Sequence, residues 1–261
     1  MLATSYHPAA LHSGQPTLLI AHGLFGSGRN WGVIARHLAD TRDTVTVDMR
    51  NHGSSPRAPT QSYADMAADL AEVIATLPGP VDVLGHSMGG KATMVLALTH
   101  PERVRRLVVA DIAPIAYTHD QSHHIDAMRR LDLTDLVSRS EADRRLSATT
   151  DDPALRAFFL QSLDLKATPP VWRLNLDVLG AEMPLIVGWP AVTGNFPGAT
   201  LFLSGANSSY VLPEHRPTIR ALFPKSRFAK LPGAGHSLHA EKPREFEETV
   251  RMFLTAPDSE D

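Results

Sequence analysis

The chain has 261 residues, of which 43% are hydrophobic, and its formal net charge is −3 with histidine neutral. This length and apolar content suit one large α/β domain, or one domain carrying an insertion, with a full buried core. The small negative charge gives no electrostatic basis for binding nucleic acid or an anionic membrane surface. The sequence contains no cysteine, which excludes disulfides, thiolate catalysis and cysteine-ligated metal sites.

The sequence shows no membrane or secretion signal. Its longest wholly apolar runs are far shorter than a membrane-crossing helix requires. The first residues, MLATSYHPAALHSG, have neither the basic region nor the apolar region of a secretory signal. Together with the lack of cysteine, these features favour a cytoplasmic location.

Short β-branched and apolar runs alternate with helical patterns along most of the chain. Most of these runs are too apolar for a sheet with a solvated face, which favours a parallel sheet covered on both sides. The repeated order of strand, crossover and strand predicts an α/β fold with a right-handed, doubly wound, mostly parallel sheet. The predicted strands are residues 17–21, 44–48, 81–85, 106–111, 200–204 and 227–231. The predicted helices between them are residues 30–39, 62–77, 88–99 and 243–254.

The interval between Asp111 and Thr200 has helical patterns but no clear strand run. Roughly 85 residues without a strand are too many for a simple connection, so we predict an inserted helical cap. Because the insertion follows the C-terminal end of a strand, it should cover the ligand crevice of the sheet as a lid. The predicted cap is residues 113–197, and the core is residues 1–112 and 198–261. The predicted cap helices are residues 126–137, 141–150 and 152–163.

The segment VLGHSMGGKA (83–92) passes from a strand through a G-x-S-x-G pattern directly into a helix. This context predicts a strained elbow that presents Ser87 as a nucleophile, with Gly85 and Gly89 providing the necessary room. The N–H groups at the start of the helix would face the reacting centre, and that of Met88 is one expected oxyanion donor. A chance pentapeptide in a tight turn is the weaker alternative, because the strand and helix lie where the motif requires them.

A second oxyanion donor is expected from the loop HGLFGSGRNW (22–31), which follows the first predicted strand. The backbone N–H of Leu24 is the preferred candidate, and that of Phe25 is the second. A glycine-rich phosphate loop is the alternative interpretation. Neither G-x-G-x-x-G nor G-x-x-x-x-G-K-[ST] is present, which disfavours it.

The segment LPGAGHSLHAEKP (231–243) follows the last predicted strand and contains the expected general base, His236. His239 lies three residues later and is the nearest rival. Most other histidines are expected at the surface or in loops. The adjacent pair His123 and His124 has no second ligand pair at metal spacing nearby, so we predict no metal site.

The catalytic carboxylate is harder to predict, because residues 207–209 are Asn-Ser-Ser in a turn where an acid is usual. A buried imidazolium needs a carboxylate to orient it and to balance its charge. Asp111 ends the strand that follows the nucleophile strand, and in a doubly wound order it lies beside the strand ending at Ser204. We therefore predict Asp111 as the acid, with the Ser208 hydroxyl bonded to Asp111 or His236.

Three other carboxylates are weaker candidates for the acid. Asp48 ends a strand that is expected two places from the nucleophile strand. Glu214 follows the turn too late, and Glu241 comes after His236 in a position expected to be solvated. For Asp111 itself, the alternative role is that of a turn-forming aspartate at the end of a strand.

The segments HGLFG, DMRNHGSSP, GHSMGGK, DIAP, NSSYV, PGAGH and HAEKP together resemble the α/β-hydrolase superfamily. Within it, they resemble the small bacterial esterases of the YbfF type and their mitochondrial abhydrolase-domain relatives. The resemblance runs from residue 16 to 255, includes a cap piece at 172–189, and places Asn51 where the wider superfamily has glycine. It implies an α/β-hydrolase core with a helical cap, and hydrolysis of acyl esters and thioesters. The site residues that it implies are the nucleophile Ser87, the base His236, the acid Asp111 and the assisting serine Ser208.

These residues predict a serine hydrolase that cleaves small-molecule acyl esters, or acyl thioesters, through an acyl-enzyme and without a cofactor. Acyl transfer, perhydrolysis and C–C hydrolysis on the same scaffold remain alternatives, as does a slow-turnover ligand-binding module. A haloalkane dehalogenase is disfavoured because its nucleophile would be an aspartate at the position of Ser87. Aromatic residues of the cap and of the oxyanion loop could line the substrate pocket or pack in the core. The candidates for the pocket are Phe25, Phe158, Phe159, Trp172 and Trp189.

Overall fold

A computed structural model describes residues 1–257. Within this range the predicted doubly wound α/β architecture is confirmed. The strands are β1 (Thr4–His7), β2 (Leu18–Ala21), β3 (Thr44–Val47), β4 (Val81–His86), β5 (Val104–Ala110), β6 (Leu163–Asp164), β7 (Val171–Trp172), β8 (Ala199–Gly205) and β9 (Ser226–Leu231). The helices are α1 (Gly32–Leu38), α2 (Tyr63–Ala75), α3 (Met88–Thr99), α4 (Ser122–Arg130), α5 (Arg139–Leu146), α6 (Pro153–Leu160), α7 (Leu176–Ala181), α8 (Met183–Val187), α9 (Arg216–Leu222), α10 (Leu238–Glu241) and α11 (Pro243–Thr255).

The main sheet has the strand order β1-β3-β2-β4-β5-β8-β9, and every strand except the antiparallel β1 runs parallel to its neighbours. Alternate residues of the strands enter two separate cores. Leu19 joins the core beneath α2 and α3, whereas Leu18 joins the core beneath α1 and α11. Every residue of β2, β3 and β4 is buried, as expected for strands covered on both faces.

The first strand, β1, is absent from the sequence prediction. Its residues TSYH are exposed or half-buried, and it pairs antiparallel with β3 at the edge of the sheet. An edge strand with solvated side chains lacks the apolar run by which the inner strands are recognised. β9, at the opposite edge, is also only partly buried.

The order of the strands brings the C-terminal ends of β2, β4, β5, β8 and β9 to one edge of the sheet. In the register, Ala21 lies beside Gly85, and Ala110 lies beside both His86 and Leu203. The chain moves from β2 to β3 on one side and then to β4 on the other, so the winding direction reverses between β2 and β4. Ligand sites of open α/β sheets lie at such reversal points.

Helix ends follow local signals in the sequence. The Ser62 side chain accepts the backbone N–H of Asp65 and caps α2. α3 ends at Thr99, just before Pro101. The helix predicted at 30–39 begins instead as a 3₁₀ turn, which passes into α1.

The segment between β5 and β8 contains α4 to α8 and forms the cap, which we propose to extend over residues 113–197. The expectation of no strand there is wrong in one detail, because β6 and β7 form a short antiparallel pair. The helix predicted at 126–137 stops at Arg130. Leu131 is extended, and the Asp132 side chain accepts the Thr134 N–H in a turn. None of the helices in residues 1–257 is both long and apolar enough to cross a bilayer.

Candidate active site

Ser87 lies at the junction between β4 and α3, where the sequence predicts the elbow. Its backbone has φ 53° and ψ −119°, a conformation that side-chain-bearing residues adopt only under constraint. Its N–H donates to the Ala110 carbonyl at 3.1 Å, which ties the elbow to the end of β5. The turn therefore places the serine at the C-terminal edge of the sheet.

Both glycines of the G-x-S-x-G motif are required by close backbone contacts. A Cβ atom on Gly85 would lie 2.3 Å from the Thr93 hydroxyl oxygen and 2.5 Å from the Gly89 carbonyl oxygen. A Cβ atom on Gly89 would lie 2.4 Å from the carbonyl oxygen of His22. The second contact brings the loop after β2 against the start of α3, where an oxyanion hole would need it.

The structure brings Ser87, His236 and Asp111 into one hydrogen-bonded chain. The Nε2 atom of His236 lies 3.0 Å from Ser87 Oγ, and its Nδ1 atom lies 2.8 Å from Asp111 Oδ2. The side chain of Asp111 has no solvent exposure, whereas that of His236 is 33% exposed. The imidazole can therefore meet a ligand from solvent while the carboxylate stays covered.

Asp111 has a positive φ of 51°, a conformation that aspartate tolerates better than most residues. Its Oδ1 atom accepts the Gly205 N–H at 3.1 Å, and its Oδ2 atom accepts the Ser208 hydroxyl at 2.5 Å. The Ser208 oxygen in turn accepts the N–H of Tyr210 at 3.2 Å. The turn after β8 thus bonds to the carboxylate rather than to His236, which decides between the two partners that the sequence allowed for Ser208.

Two residues that the sequence analysis did not single out fix the position of His236. Its ring stacks on Tyr210, with centroids 4.1 Å apart and planes 24° from parallel. Its backbone carbonyl accepts the Nε2–H of His86 at 2.9 Å. Burial lowers the pKa of His86 well below 6.5. His86 directly precedes Ser87 in GHSMGG, and this position in the motif was the signal by which the sequence could have identified its role.

His239, the rival base, lies elsewhere. Its ring stacks on Trp31, with centroids 4.2 Å apart, and burial lowers its pKa to about 3. Among the hydrogen bonds of residues 1–257, His236 is the histidine that reaches Ser87. His239 is therefore a packing residue beneath the site.

The loop after β2 lies against Ser87. A Cβ atom on Gly23 would lie 3.2 Å from the Cβ atom of Ser87. Phe25 has a φ of 65°, and its N–H donates to His52 Nε2 at 3.2 Å. In residues 1–257 no hydrogen-bond acceptor takes the N–H of Leu24. The geometry therefore favours Leu24 over Phe25 as a donor to a ligand, beside Met88 at the start of α3.

Two buried histidines hold this loop, and the sequence analysis missed the role of both. In each ring Nδ1 bonds to a backbone carbonyl. His22 Nε2 accepts the N–H of Met49, and His52 Nε2 accepts that of Phe25. Because Nε2 accepts a hydrogen bond in both rings, it carries no proton, and both rings are neutral. Burial lowers the pKa of His22 to about 4 and that of His52 to about 3, which agrees with this state.

Asn51 connects the core to the cap. Its φ is 65°, which explains why glycine is usual at this position and why asparagine can replace it. Its Oδ1 atom accepts the N–H of Ala58 at 2.8 Å and the side-chain amide of Asn175 at 2.9 Å. The backbone N–H of Asn175 also donates to the Asn51 carbonyl at 2.9 Å.

The predicted pocket residues divide into two groups. Trp172 is buried, and its indole N–H donates to a backbone carbonyl of α4. This arrangement indicates packing within the cap, one of the two roles that the sequence allowed for Trp172. Phe25 and Phe159 are also buried and pack edge to face, with centroids 5.5 Å apart. Phe158 and Trp189 are half-buried against the core, where a ligand could still contact them.

The other candidate acids have structural roles. Asp48 accepts the backbone N–H groups of Gly28 and Ser54, each at 2.7 Å, and lies at the end of β3, two strands from β4. Glu241 was expected to be solvated. Its side chain is exposed but also accepts the Gly235 N–H at 2.8 Å, next to His236.

The adjacent cap histidines, His123 and His124, pack ring against ring, with centroids 3.8 Å apart. Burial lowers the pKa of His124 to about 4. In the part of the chain that the structure describes, no three His, Asp or Glu side chains are grouped to hold a metal ion.

Comparison with known proteins supports the fold described above. The sequence matches the α/β hydrolase fold family over residues 16–243. It is 37% identical to the esterase YbfF of Escherichia coli strain K12, over 93% of this chain and 94% of YbfF. It is 40% identical to the sn-1-specific diacylglycerol lipase ABHD11 of Mus musculus, over 92% of this chain and 81% of that protein.

A solved structure described as a marine microorganism esterase superposes with a TM-score of 0.89. The two sequences are 34% identical, and the match covers 97% of this chain and 98% of that one. These relatives carry the names of ester hydrolases, which confirms the predicted enzyme class, a carboxylic ester hydrolase. The chain belongs to the α/β-hydrolase fold family.

Proposed function

We propose that this protein is a serine esterase, in which Ser87 takes the acyl group of a small ester and passes it to water. The observation that carries the proposal is the chain of hydrogen bonds from Ser87 Oγ through the His236 ring to Asp111, at 3.0 and 2.8 Å. A hydroxyl is a weak nucleophile until a base removes its proton, and this geometry supplies that base.

Acylation begins as Ser87 Oγ attacks the carbonyl carbon of the ester. His236 Nε2 takes the hydroxyl proton, and its Nδ1–H stays bonded to Asp111, which fixes the tautomer. The imidazolium that results is balanced by the buried carboxylate. When the tetrahedral intermediate collapses, the C–O bond to the alcohol breaks, and His236 gives the proton to the leaving oxygen.

The negative charge of the intermediate collects on the former carbonyl oxygen. We propose that the backbone N–H groups of Met88 and Leu24 bind this oxyanion. The loop that carries Leu24 is held by His22 and His52, so its N–H is positioned before the reaction begins. Such preorganised donors typically contribute on the order of 10² to 10³ in rate each.

Deacylation repeats these steps with water in place of the serine. His236 removes a proton from water, and the hydroxide oxygen attacks the acyl carbon. The bond to Ser87 breaks, its oxygen regains a proton from His236, and the carboxylic acid leaves. Acyl thioesters are included in the proposal because a thiol can leave through the same steps.

Asp111 and Ser208 complete the proposed machinery. Asp111 orients His236, and the Ser208 hydroxyl holds the same carboxylate oxygen that His236 contacts. Two donors on one oxygen fix the carboxylate in the plane that the imidazole needs. Ser208 therefore acts on the base through Asp111.

Release of a chromogenic phenol from simple phenyl esters tests the proposal. We expect a burst of phenol equal to the enzyme concentration, followed by steady turnover, and loss of both in Ser87→Ala. A burst without turnover would instead support a slow ligand-binding module. Product analysis in the presence of an alcohol, a thiol or peroxide distinguishes hydrolysis from acyl transfer and perhydrolysis.

A further inference from the structure

Lys91 is a buried lysine on the helix that begins after Ser87, and burial lowers its pKa to about 7. It lies one turn into α3, its N–H donates to the Ser87 carbonyl at 3.0 Å, and its side chain is 1% exposed. Within residues 1–257 no carboxylate pairs with its ammonium group. Burial of an unpaired charge is strongly unfavourable unless other groups compensate it, so the contacts of this side chain require an explanation.

The two carbonyl groups that accept hydrogen bonds from Lys91 belong to the cap. The Nζ atom donates to the carbonyl oxygens of Val187 at 2.9 Å and Gly188 at 2.5 Å, where α8 ends. Carbonyls at the end of a helix lack partners within the helix. The same ammonium group lies 4.8 Å from the centre of the Tyr117 ring and 5.6 Å from that of Tyr63, within the range of cation–π attraction.

Nearby hydrogen bonds hold the same end of α8. The Tyr63 hydroxyl donates to the Ile186 carbonyl at 2.6 Å. The Tyr117 hydroxyl donates to the Tyr210 carbonyl at 2.7 Å, and the Tyr210 ring stacks on His236. The cluster around Lys91 therefore connects the cap to the nucleophile helix on one side and to the proposed base on the other.

We propose that Lys91 is a positioning residue that fixes the C-terminal end of α8, and with it Trp189, relative to Ser87. The proposal rests on the esterase function proposed above. Trp189 follows directly after the carbonyls that the ammonium holds and is half-buried against the core. Trp189 is one of the candidate pocket residues, so release of this end would loosen the part of the pocket that it lines, and bulky acyl groups would lose more binding than small ones.

A purely structural role makes a different prediction. If Lys91 only filled space in the core, its loss would lower the stability of all elements together and would affect all substrates alike. A positioning role predicts a local change at residues 183–189 and a change in KM that grows with acyl length. These two readouts separate the roles.

Hydrogen exchange measured by mass spectrometry on Lys91→Met is the primary test. The variant keeps an unbranched side chain that is one heavy atom shorter, and it removes the charge and the donors. We expect residues 183–189 to exchange about tenfold faster or more, while α11 keeps its protection. With phenyl esters of increasing acyl length, KM should rise progressively, and kcat for the acetyl ester should change little. Lys166→Met, which removes an exposed cap lysine, is the matched control and should change neither readout.

Chemical rescue tests the ammonium itself. The chain has no cysteine, so the thiol of Lys91→Cys is unique and can be alkylated in the unfolded protein before refolding. Treatment with 2-bromoethylamine places an ammonium at nearly the original length, and treatment with 1-bromopropane gives a neutral side chain of the same size. We expect only the ammonium product to regain protection at 183–189 and normal KM values. Where Lys91→Met does not fold, comparison of these two alkylated products tests the proposal instead.

Three outcomes would overturn the proposal. One is unchanged exchange at 183–189 in folded Lys91→Met. The second is a uniform increase of exchange over the whole chain, and the third is equal rescue by the neutral product. Exchange at the cap needs no catalytic turnover, so a failure of this proposal is distinguishable from a failure of the proposed esterase function.

Discussion

The hydroxyl of Ser208 donates a 2.5 Å hydrogen bond to Oδ2 of Asp111, the oxygen that also contacts the ring of His236. The two residues lie at the ends of adjacent parallel strands, β8 and β5. The turn after β8 thus supplies a hydroxyl, and the carboxylate comes from the strand next to the nucleophile strand. Replacement of the carboxylate and replacement of the hydroxyl should therefore have different effects on turnover.

Asp111→Asn should lower kcat by on the order of 10³ or more, because an amide neither balances the imidazolium nor fixes its tautomer. Ser208→Ala removes one hydrogen bond to the carboxylate and should lower kcat distinctly less, by roughly 10-fold to 100-fold. Both values come from steady-state kinetics with a phenyl ester, with circular dichroism as a check of folding. Near-normal turnover in Asp111→Asn would show that the acid lies elsewhere.

Gly23→Ala should impair the oxyanion loop. A Cβ atom at this position would lie 2.9 Å from His86 Nδ1 and 3.2 Å from Ser87 Cβ, so the backbone of the loop must shift. We expect kcat to fall by about 10² with a small change in KM, as for loss of one oxyanion donor. Gly32→Ala is the matched control, because its Cβ atom would meet only Arg36 Nη1 at 3.5 Å. Equal effects of the two substitutions would contradict this role of the loop.

Acid should destabilise the fold through its buried neutral histidines. Burial lowers the pKa of His22 to about 4 and that of His239 to about 3. Below pH 6.5 these histidines bind protons in the unfolded chain, but in the folded chain they stay neutral until the pH approaches their lowered pKa values. The free energy of unfolding therefore decreases as pH falls from 6.5 toward 4. Each such histidine contributes a slope of up to about 1.4 kcal/mol per pH unit.

Urea unfolding at a series of pH values measures this slope. His239→Leu should flatten it, because the leucine keeps apolar contact with Trp31 and removes one titrating group. The Met252→Leu control changes an exposed side chain without removing a titrating group and should leave the slope unchanged. A slope that is the same in wild type and His239→Leu would rule out a contribution from this ring.

Replacement of Asn51 should separate its backbone role from its side-chain role. Asn51→Gly keeps the positive φ but loses the bonds to Ala58 and Asn175, and we expect a loss of about 1–3 kcal/mol in stability. Asn51→Ala loses the same bonds and adds about 1–2 kcal/mol for the left-handed backbone. Thermal unfolding gives the order of the three proteins, and an alanine variant as stable as the glycine variant would contradict the backbone argument.

The sequence predicts the inner strands and the elbow because both depend on local patterns. Buried strands require apolar runs, and the turn at Ser87 requires glycines at fixed spacing. The pairing of Asp111 with His236 follows from the order of the strands, so topology alone brings together residues that are 125 positions apart. β1 depends on pairing at the edge of the sheet, and the end of the helix predicted at 126–137 depends on hydrogen bonds in a turn. Neither leaves a periodic pattern in the sequence.

Contacts between distant segments were harder to predict. Two examples are the stacking of Tyr210 on His236 and the hydrogen bond from the Phe25 N–H to His52. Both depend on side-chain directions that are set only when the loops pack. Lys91 looks in the sequence like an ordinary polar residue of a helix. Its burial becomes evident only when the cap supplies carbonyls for its ammonium group.

Asp111 also lies two residues before Ala113, where the proposed cap begins. The N–H of Ala113 donates to the Tyr117 hydroxyl at 2.9 Å, so the stem of the cap is anchored close to the carboxylate. We therefore expect that the cap can be exchanged or redesigned only beyond residue 117. Strain introduced nearer to the core would displace the carboxylate of Asp111, the proposed acid. Under the proposed function, residues 111–117 mark the boundary between the residues that carry out the reaction and the cap residues that can vary with the substrate.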